Sequence, residues 1–522
     1  MALYRAIATL GSWTMLSRIL GFVRDMLLAG VLGAGMVADA FFVAFKFPNF
    51  FRRLFAEGAF NAAFVPLYAR RLEQEGPDAA RSFAGEVAAA MTAWLLLFTA
   101  IAQAAMPWLM LVLAPGFSDE PEKFALAVDL TQITFPYLMF MALVALLGGM
   151  LNAHHRFAAT AAAPIVLNLV LIATLAMVKG GLLPLPGYAI SWGVIVAGAG
   201  QFAWLAWACH REGIAFRVPW PRPTPGVRRL LRLMVPGLMG AGVVQINLVI
   251  DVMLASLLPE GSVSWLYYAD RVNQLPLGVV GVAIGVALLP MLSRQLSAGD
   301  ERGAADSQNR AVELGLLLTL PAAAALIAIP GPIVGVLFQR GAFQAEDAAA
   351  TSAALAAFAL GLPGYVMIKA LVPAFFARED TATPVKVAVA AMLLNIGLAL
   401  ALMPVLAHVG IAFATATAAW ANAGLLAWLL HRRGLLQTDA RLRRRVPRIL
   451  LAALAMAGAL WLGARALEGA FAGPLWQGVP ALAALVLGGM VGYGALAQLT
   501  GATSFRDLRG ALRRGEVARR EK

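Results

Sequence analysis

The chain is 522 residues long, 61% hydrophobic and only 13% charged, with a formal net charge of +13 and a mean hydropathy of +0.77. Soluble domains devote about a quarter of their residues to charge, so the composition excludes a soluble protein and describes one built into a membrane. The basic residues sit in short loops between apolar runs, which excludes nucleic-acid binding as the source of the positive charge.

The apolar runs are mostly about 20 residues long, the length at which a helix crosses ~30 Å of hydrocarbon. Strand-like alternation is absent, so the predicted fold class is an all-α polytopic membrane protein. Breaks at Pro, Gly and charge clusters divide the chain into fourteen predicted transmembrane helices, at about 9–32, 36–66, 86–113, 128–151, 160–178, 187–209, 230–258, 263–292, 308–337, 348–376, 385–404, 409–430, 448–467 and 477–499.

The first span lies within "MALYRAIATLGSWTMLSRILGFVRDMLLAGVLGAG", where a signal sequence would be, but Arg18 and Arg24 interrupt what would be its uncharged core. It is read as a retained helix, with Asp25 beside Arg24. The second span carries Asp39 and the run "FKFPNFFRRLFAEG". On a helix, Lys46, Asn49, Arg53 and Glu57 follow one another at spacings of 3, 4 and 4 and form one polar stripe, with Arg52 beside it. Pro48 removes a backbone hydrogen bond, so the helix is expected to bend there and open the stripe towards a cavity.

Cys209, at the end of the sixth span, is the only cysteine; it excludes an intramolecular disulfide and is read as a core residue. Asp251 lies in the seventh span, with Asn395 and Thr415 in the eleventh and twelfth. Either these three form a thinly coordinated sodium site, or Asp251 is a hydrogen-bonded structural residue. The eighth span carries Ser264, Asp270 and Arg271, and the tenth Lys369. The linker "HRRGLLQTDARLRRRVPR" before the thirteenth span is either an orientation signal or a surface for an anionic head group.

Short cytoplasmic loops are enriched in Lys and Arg. With the N-terminus inside, 30 of the 41 basic residues fall in cytoplasmic segments, and the outside segments hold only Lys123, Lys179, Arg340 and Arg465. Both termini are therefore expected in the cytoplasm.

Seven basic residues remain, within or at the rim of spans: Arg18, Arg24, Lys46, Arg52, Arg53, Arg271 and Lys369. A basic residue at the bilayer centre costs about 2.5 to 3.5 kcal/mol on insertion scales, so seven facing lipid would cost roughly 20 kcal/mol, more than the ~5 to 15 kcal/mol net stability of a fold. Asp25, Asp39, Glu57, Asp251 and Asp270 supply five negative charges against them. A water-filled cationic cavity and purely structural ion pairing are the two readings.

Self-comparison at an offset near 225 pairs "DMLLAGVL" at 25 with "DVMLASLL" at 251, "AFNAAFVPLYAR" at 59 with "AIGVALLPMLSR" at 283, and "RFAATAAAPIVLNLVLI" at 156 with "REDTATPVKVAVAAMLLNIGLAL" at 378. Together these place helices 1–6 against helices 7–12 in a parallel repeat, with a substrate site expected between the halves. No GxxxxGK[ST] loop, HExxH or GxSxG occurs, and the five histidines form no metal motif. The sequence points to a transporter rather than an enzyme, with no cofactor.

The stretches "SRILGFVRDMLLAGVLGAGMVADAFFVAFKFPNFFRRLFAEGAFNAAFVPLY", "GSVSWLYYADRVNQLPLGVVGVAIGVALLPMLS" and "AFFAREDTATPVK" closely resemble the MurJ (MviN) family of bacterial lipid II flippases, over about residues 1 to 435. The resemblance implies two six-helix lobes in a V shape, residues 1–212 and 213–433, around a cationic cavity that alternates between inward-open and outward-open states. It implies that residues 434–500, helices 13 and 14, form a groove for a prenyl tail, followed by a basic cytoplasmic tail at 501–522. The implied cargo is lipid II, the undecaprenyl pyrophosphate of a disaccharide pentapeptide, moved by a monomer in the bacterial inner membrane beside membrane lipids and cell-wall synthesis proteins.

Residues important in the family have counterparts at Arg18, Arg24, Asp39, Asn49, Arg52, Arg53, Glu57, Ser264, Asp270 and Arg271; Gln274 departs, standing where several members carry a glutamate. The chemistry agrees independently, because a pyrophosphate calls for several fixed positive charges and arginine forks suit its oxygens. On that reading Asp25, Asp39, Glu57 and Asp270 latch or orient the arginines. The competing readings are a flippase for another prenyl-linked saccharide, a drug exporter of the same fold, and a membrane scaffold of the cell-wall synthesis machinery.

Overall fold

The computed structural model describes residues 2–53 and 60–503, and among these every regular element is helical. The chain divides into two compact units, one of Met1–Ser264 with Arg340–Gln344, the other of Trp265–Gln339 with Ala345–Lys522. Most of the basic tail, expected at 501–522, lies outside the described residues, as does Glu57.

The first unit contains α1 (Ala2–Leu32), α2 (Met36–Phe51), α3 (Asn61–Gln74), α4 (Pro77–Ala104), α5 (Met106–Leu113), α6 (Pro121–Thr134), α7 (Tyr137–Ala153), α8 (Phe157–Lys179), α9 (Pro186–Arg211) and α10 (Pro225–Ser256). The second, apart from its first turn, contains α11 (Ser262–Ser297), then α12 (Glu301–Ala328), α13 (Pro330–Phe338), α14 (Ala345–Phe376), α15 (Ala382–Arg432), α16 (Ala440–Ala466), α17 (Glu468–Ala472) and α18 (Leu475–Leu499). The predicted spans map onto these, some as one helix and some as two consecutive helices. The predicted spans 385–404 and 409–430 meet inside α15 at Ala407, whose φ of 47° breaks the helical path.

Among the described residues nine helices are long and apolar enough to cross a membrane. The predicted spans that fall outside this set lie on α1, on α2 with α3, and on α10 and α11. Those are the helices that hold Arg24, Asp39, Asp251 and Asp270.

Prolines lie inside some of the helices, as Pro48 in α2 and Pro321 in α12, and at the breaks between others, as Pro107 and Pro136. A proline at i cannot donate to the carbonyl at i−4, and in a membrane that carbonyl needs another partner. Pro48 orphans the Ala44 carbonyl, which accepts a hydrogen bond from Thr134 Oγ1 on α6 at 2.9 Å. Pro107 orphans Gln103 and Pro136 orphans Gln132; these two glutamines serve each other, Gln103 Nε2 donating to the Gln132 carbonyl at 2.7 Å and Gln132 Nε2 to the Gln103 carbonyl at 3.2 Å. Pro321 orphans Leu317, whose carbonyl accepts from Tyr493 Oη of α18 at 2.7 Å. Thr134 is wholly buried, so Thr134→Val, which keeps the shape and deletes the donor, is expected to cost about 1 to 3 kcal/mol. Thermal unfolding of the purified protein in detergent checks it.

The short segment Arg340–Gln344 returns to the first unit, where the Ala342 N–H donates to the Gly30 carbonyl at 3.0 Å. Gly341 has φ +60°, and a Cβ there would stand 2.2 Å from the Gly30 oxygen; only glycine fits.

Within the second unit the basic linker has a structural use. Glu313 of α12 takes Arg441 at 3.2 Å and Arg445 at 2.5 Å, and also pairs with Arg310, which reaches Asp439 as well. These pairs seat α16 on α12. Between α14 and α15, Asp380 accepts from Arg433 Nη1 at 2.7 Å and from Thr383 N and Oγ1 at 2.9 and 2.7 Å. The Arg433 hydrogen bond, then those of Thr383, hold its carboxyl down from 3.8 to about 2. A folded-state value below the unfolded one stabilises fully above the unfolded value and is lost as pH falls through the folded one. Acid unfolding between about pH 4 and about 2 is therefore expected to be less steep in Asp380→Asn than in the parent.

Candidate transport site

In the first unit, Arg24 is 6% exposed and lies within the helix pair α1 and α8. Its Nε and Nη2 donate to Asp25 Oδ1 at 3.0 and 2.7 Å, and its Nη1 to Asn168 Oδ1 of α8 at 3.0 Å. Asn168 Nδ2 in turn donates to the Ser17 carbonyl at 2.9 Å, and the guanidinium carbon lies 5.9 Å from the centroid of the Phe45 ring on α2. A buried arginine with one carboxylate and one amide is held in a fixed orientation. Asp25 is the carboxylate partner of Arg24, and Asn168 is a second partner to which the sequence assigned no role. Arg18, one and a half turns away on α1, is exposed.

The stripe on α2 forms in part. The Asn49 amide donates from Nδ2 to the Phe45 carbonyl at 2.7 Å and accepts at Oδ1 from Arg52 Nε at 2.9 Å. Lys46 and Arg52 are half-buried and Arg53 exposed. At 52–53 the backbone takes wider, π-type turns, and Glu57, the last member of the predicted stripe, lies outside the described residues.

Asp39 departs from the sequence reading. It meets no arginine among the described residues. Oδ1 accepts from Ser264 N at 3.0 Å and Ser264 Oγ at 2.6 Å, and Oδ2 accepts from Gly261 N at 2.8 Å; Lys123 Nζ stands 3.2 Å from Oδ2. The first N–H groups of a helix have no partner within it, and the residue before α11 is a glycine, which brings no capping side chain. Asp39 supplies the cap from α2. Glu260 reciprocates, accepting from Met36 N at the start of α2.

Two expectations are corrected by this arrangement. Ser264, read as a substrate contact, is fully buried with its hydroxyl given to Asp39. Lys123, read as an outside-loop residue, is 1% exposed, because α6 begins at Pro121, seven residues before the predicted span at 128. The signal was in the sequence: proline at the first helical position, with Glu122 in the first turn, marks a helix start.

In the second unit, Arg271 Nη2 donates to Tyr267 Oη at 2.9 Å, with the guanidinium carbon 4.8 Å from the centroid of that ring. Asp270 accepts from the side-chain amide of Gln274; an amide at 274 can make that bond where a glutamate would repel. Lys369 is exposed on α14. Thr415 donates its hydroxyl to the Ile411 carbonyl at 2.9 Å, and Asn395 is buried. In the first unit, Asp251 accepts from Asn247 Nδ2 at 3.5 Å.

Helices long and apolar enough to cross a membrane, with charged side chains set among them, describe a polytopic membrane protein. Comparison with known proteins specifies which kind. The family model for the lipid II flippase MurJ matches residues 28–473. Probable lipid II flippases MurJ are similar over most of the chain: that of Rhizobium meliloti (strain 1021) is 46% identical over 99% of this chain and 98% of its own, and that of Rhizobium tropici 48% over 88% and 87%. A solved structure of a lipid II flippase MurJ in an inward closed conformation superposes with a TM-score of 0.78 at 26% identity, covering 96% of this chain and 99% of that one. An inward-facing multidrug transporter of the MATE family shares the fold at a TM-score of 0.66 and 14% identity, over 82% and 98%. The chain belongs to the MurJ family of lipid II flippases.

Proposed function

We propose that this protein flips lipid II from the inner to the outer leaflet of the bacterial cytoplasmic membrane, by alternating access through a central cationic cavity. The observation that carries the reading is the presence of Arg24, Lys46, Arg52, Arg53 and Arg271 in or at the ends of helices made mostly of apolar residues. A pyrophosphate is recognised by such a set, with guanidinium forks on its oxygens. Arg24, Arg52 and Arg271 each have a neutral partner, the Asn168 amide, the Asn49 amide and the Tyr267 phenol, which the cargo can replace and later return. Release needs that competition. The groove for the prenyl tail is assigned to residues 434–500, beside which a cavity of about 780 Å³ is lined by Trp461, Arg465 and Phe471. Both termini are cytoplasmic, and the working unit is the monomer.

Outward movement of the anionic head group across an inside-negative membrane gains ~2.3 kcal/mol per charge per 100 mV. Transport is therefore expected to quicken when a negative-inside potential is imposed on vesicles holding the protein and lipid II, read by an impermeant reagent on the far side. Flux indifferent to the potential contradicts this coupling. The competing cargo, another prenyl-pyrophosphate saccharide, is favoured instead if the well-folded protein fails to restore growth in bacteria depleted of their own lipid II flippase.

A further inference from the structure

Lys123 is a buried ammonium with two carboxylates in reach. Its Nζ lies 3.2 Å from Asp39 Oδ2 and 3.8 Å from Glu120 Oε1, and 4.6 Å from the centroid of the Phe117 ring. Asp39 is as buried as Lys123, at 1%, whereas the Glu120 side chain is 48% exposed. Both oxygens of Asp39 receive donors, two backbone N–H groups and a hydroxyl besides Lys123. An acceptor on every side is an ionised carboxylate, and a buried ionised carboxylate needs a counterion. The lysine is that counterion, and through it the cap on the turn before α11 stays formed.

A lysine stem is flexible and its charge is a compact point with three rotatable donors, so the ammonium can move the short way from one carboxylate to the other. We propose that Lys123 is a positioning residue of the flipping cycle: on Asp39 it holds the turn at 257–264 capped, and by transferring to Glu120 it releases that turn. Glu120 is the water-facing acceptor that keeps the ammonium paired while Asp39 is uncovered. The transfer rests on the flippase reading only for its use in transport; the two positions of the ammonium are a property of this end of the first unit.

The test uses the full-length protein with Cys209, its only cysteine, replaced by alanine, and Ser262→Cys introduced as a reporter. Ser262 is 1% exposed and lies inside the capped turn. Labelling by a membrane-impermeant maleimide is followed in intact cells, together with lipid II flux and the unfolding temperature. Lys123→Met, which removes the counterion, is expected to raise the labelling rate by about tenfold or more, and Lys123→Arg to restore the slow rate. Glu120→Gln removes only the second acceptor, on an exposed side chain. It is expected to slow both labelling and flux about two- to fivefold with the unfolding temperature unchanged. A purely structural Lys123 gives no change in either rate in Glu120→Gln, and that result overturns the transfer even if Lys123→Met fails to fold. Labelling shifts as expected with no lipid II flux in any variant would uphold the clasp and overturn the cargo instead.

Discussion

Asp39→Ala is expected to destabilise the protein by about 3 to 5 kcal/mol, the cost of stripping one partner from a buried ion pair. The substitution leaves Lys123 without its nearest anion and leaves the N–H groups of Gly261 and Ser264 and the Ser264 hydroxyl without an acceptor. Glu120, at 3.8 Å and half exposed, offsets part of the lysine's loss and none of the backbone's. Asp39→Asn keeps the shape but turns an acceptor oxygen into a donor facing other donors, so it is expected to recover little. Adding Lys123→Met to Asp39→Ala removes the stranded charge, and the double variant is expected to be more stable than Asp39→Ala alone. Urea or thermal unfolding of the parent, Asp39→Ala, Asp39→Asn, Lys123→Met and the double variant in one detergent measures this. Additive losses would contradict the pairing, since neighbours in one network couple by about 0.5 to 3 kcal/mol.

Arg24→Ala is expected to reduce transport by more than tenfold. The guanidinium makes three charge-assisted hydrogen bonds, two to Asp25 and one to Asn168, and a bond to a charged group is worth about 1.5 to 3 kcal/mol, where 1.4 kcal/mol is a factor of ten. Removal also leaves Asp25 buried with its negative charge close to where an anionic head group must pass. Arg24→Lys keeps the charge but cannot span Asp25 and Asn168 as a planar fork does, so an intermediate loss is expected. Asn168→Leu leaves Arg24 and Asp25 together and frees only one bond, giving the smallest defect of the three. Initial rates of lipid II exposure, normalised to protein abundance, give the order; equal activity of Arg24→Ala and the parent would remove Arg24 from the transport site.

Hydropathy made the helices legible, because span length and the absence of alternation are set by the bilayer itself. The gaps in backbone hydrogen bonding were half legible. Pro48, Pro107, Pro136 and Pro321 announce missing N–H donors, but which side chain makes up each loss depends on a neighbouring helix, and Thr134 or Tyr493 carries no mark of that role. Arg24, Asp25, Asn49 and Arg52 were legible because charge in an apolar run demands a reason. Their partners were less so. Asn168 lies in the string "APIVLNLVLI" that was paired with the one holding Asn395, and a lone amide there is a signal of the same kind, though weaker. Asp39 was found and its partner misassigned: arginines are near in sequence, whereas Lys123 and Ser264 come close only through the tertiary fold. Ser264 looked like a polar contact for cargo because a hydroxyl in a span looks the same whether it faces a cavity or caps a carboxylate.

The central claim is that fixed cations inside the helices carry the head group of lipid II. It is tested most directly in bacteria depleted of their own lipid II flippase and expressing the parent, Arg24→Ala or Arg271→Ala at matched abundance. The quantity measured is the fraction of lipid II that an added, membrane-impermeant hydrolase can cleave. Cleavage restored by the parent and lost in both variants is the expected result; cleavage restored equally by all three would contradict it.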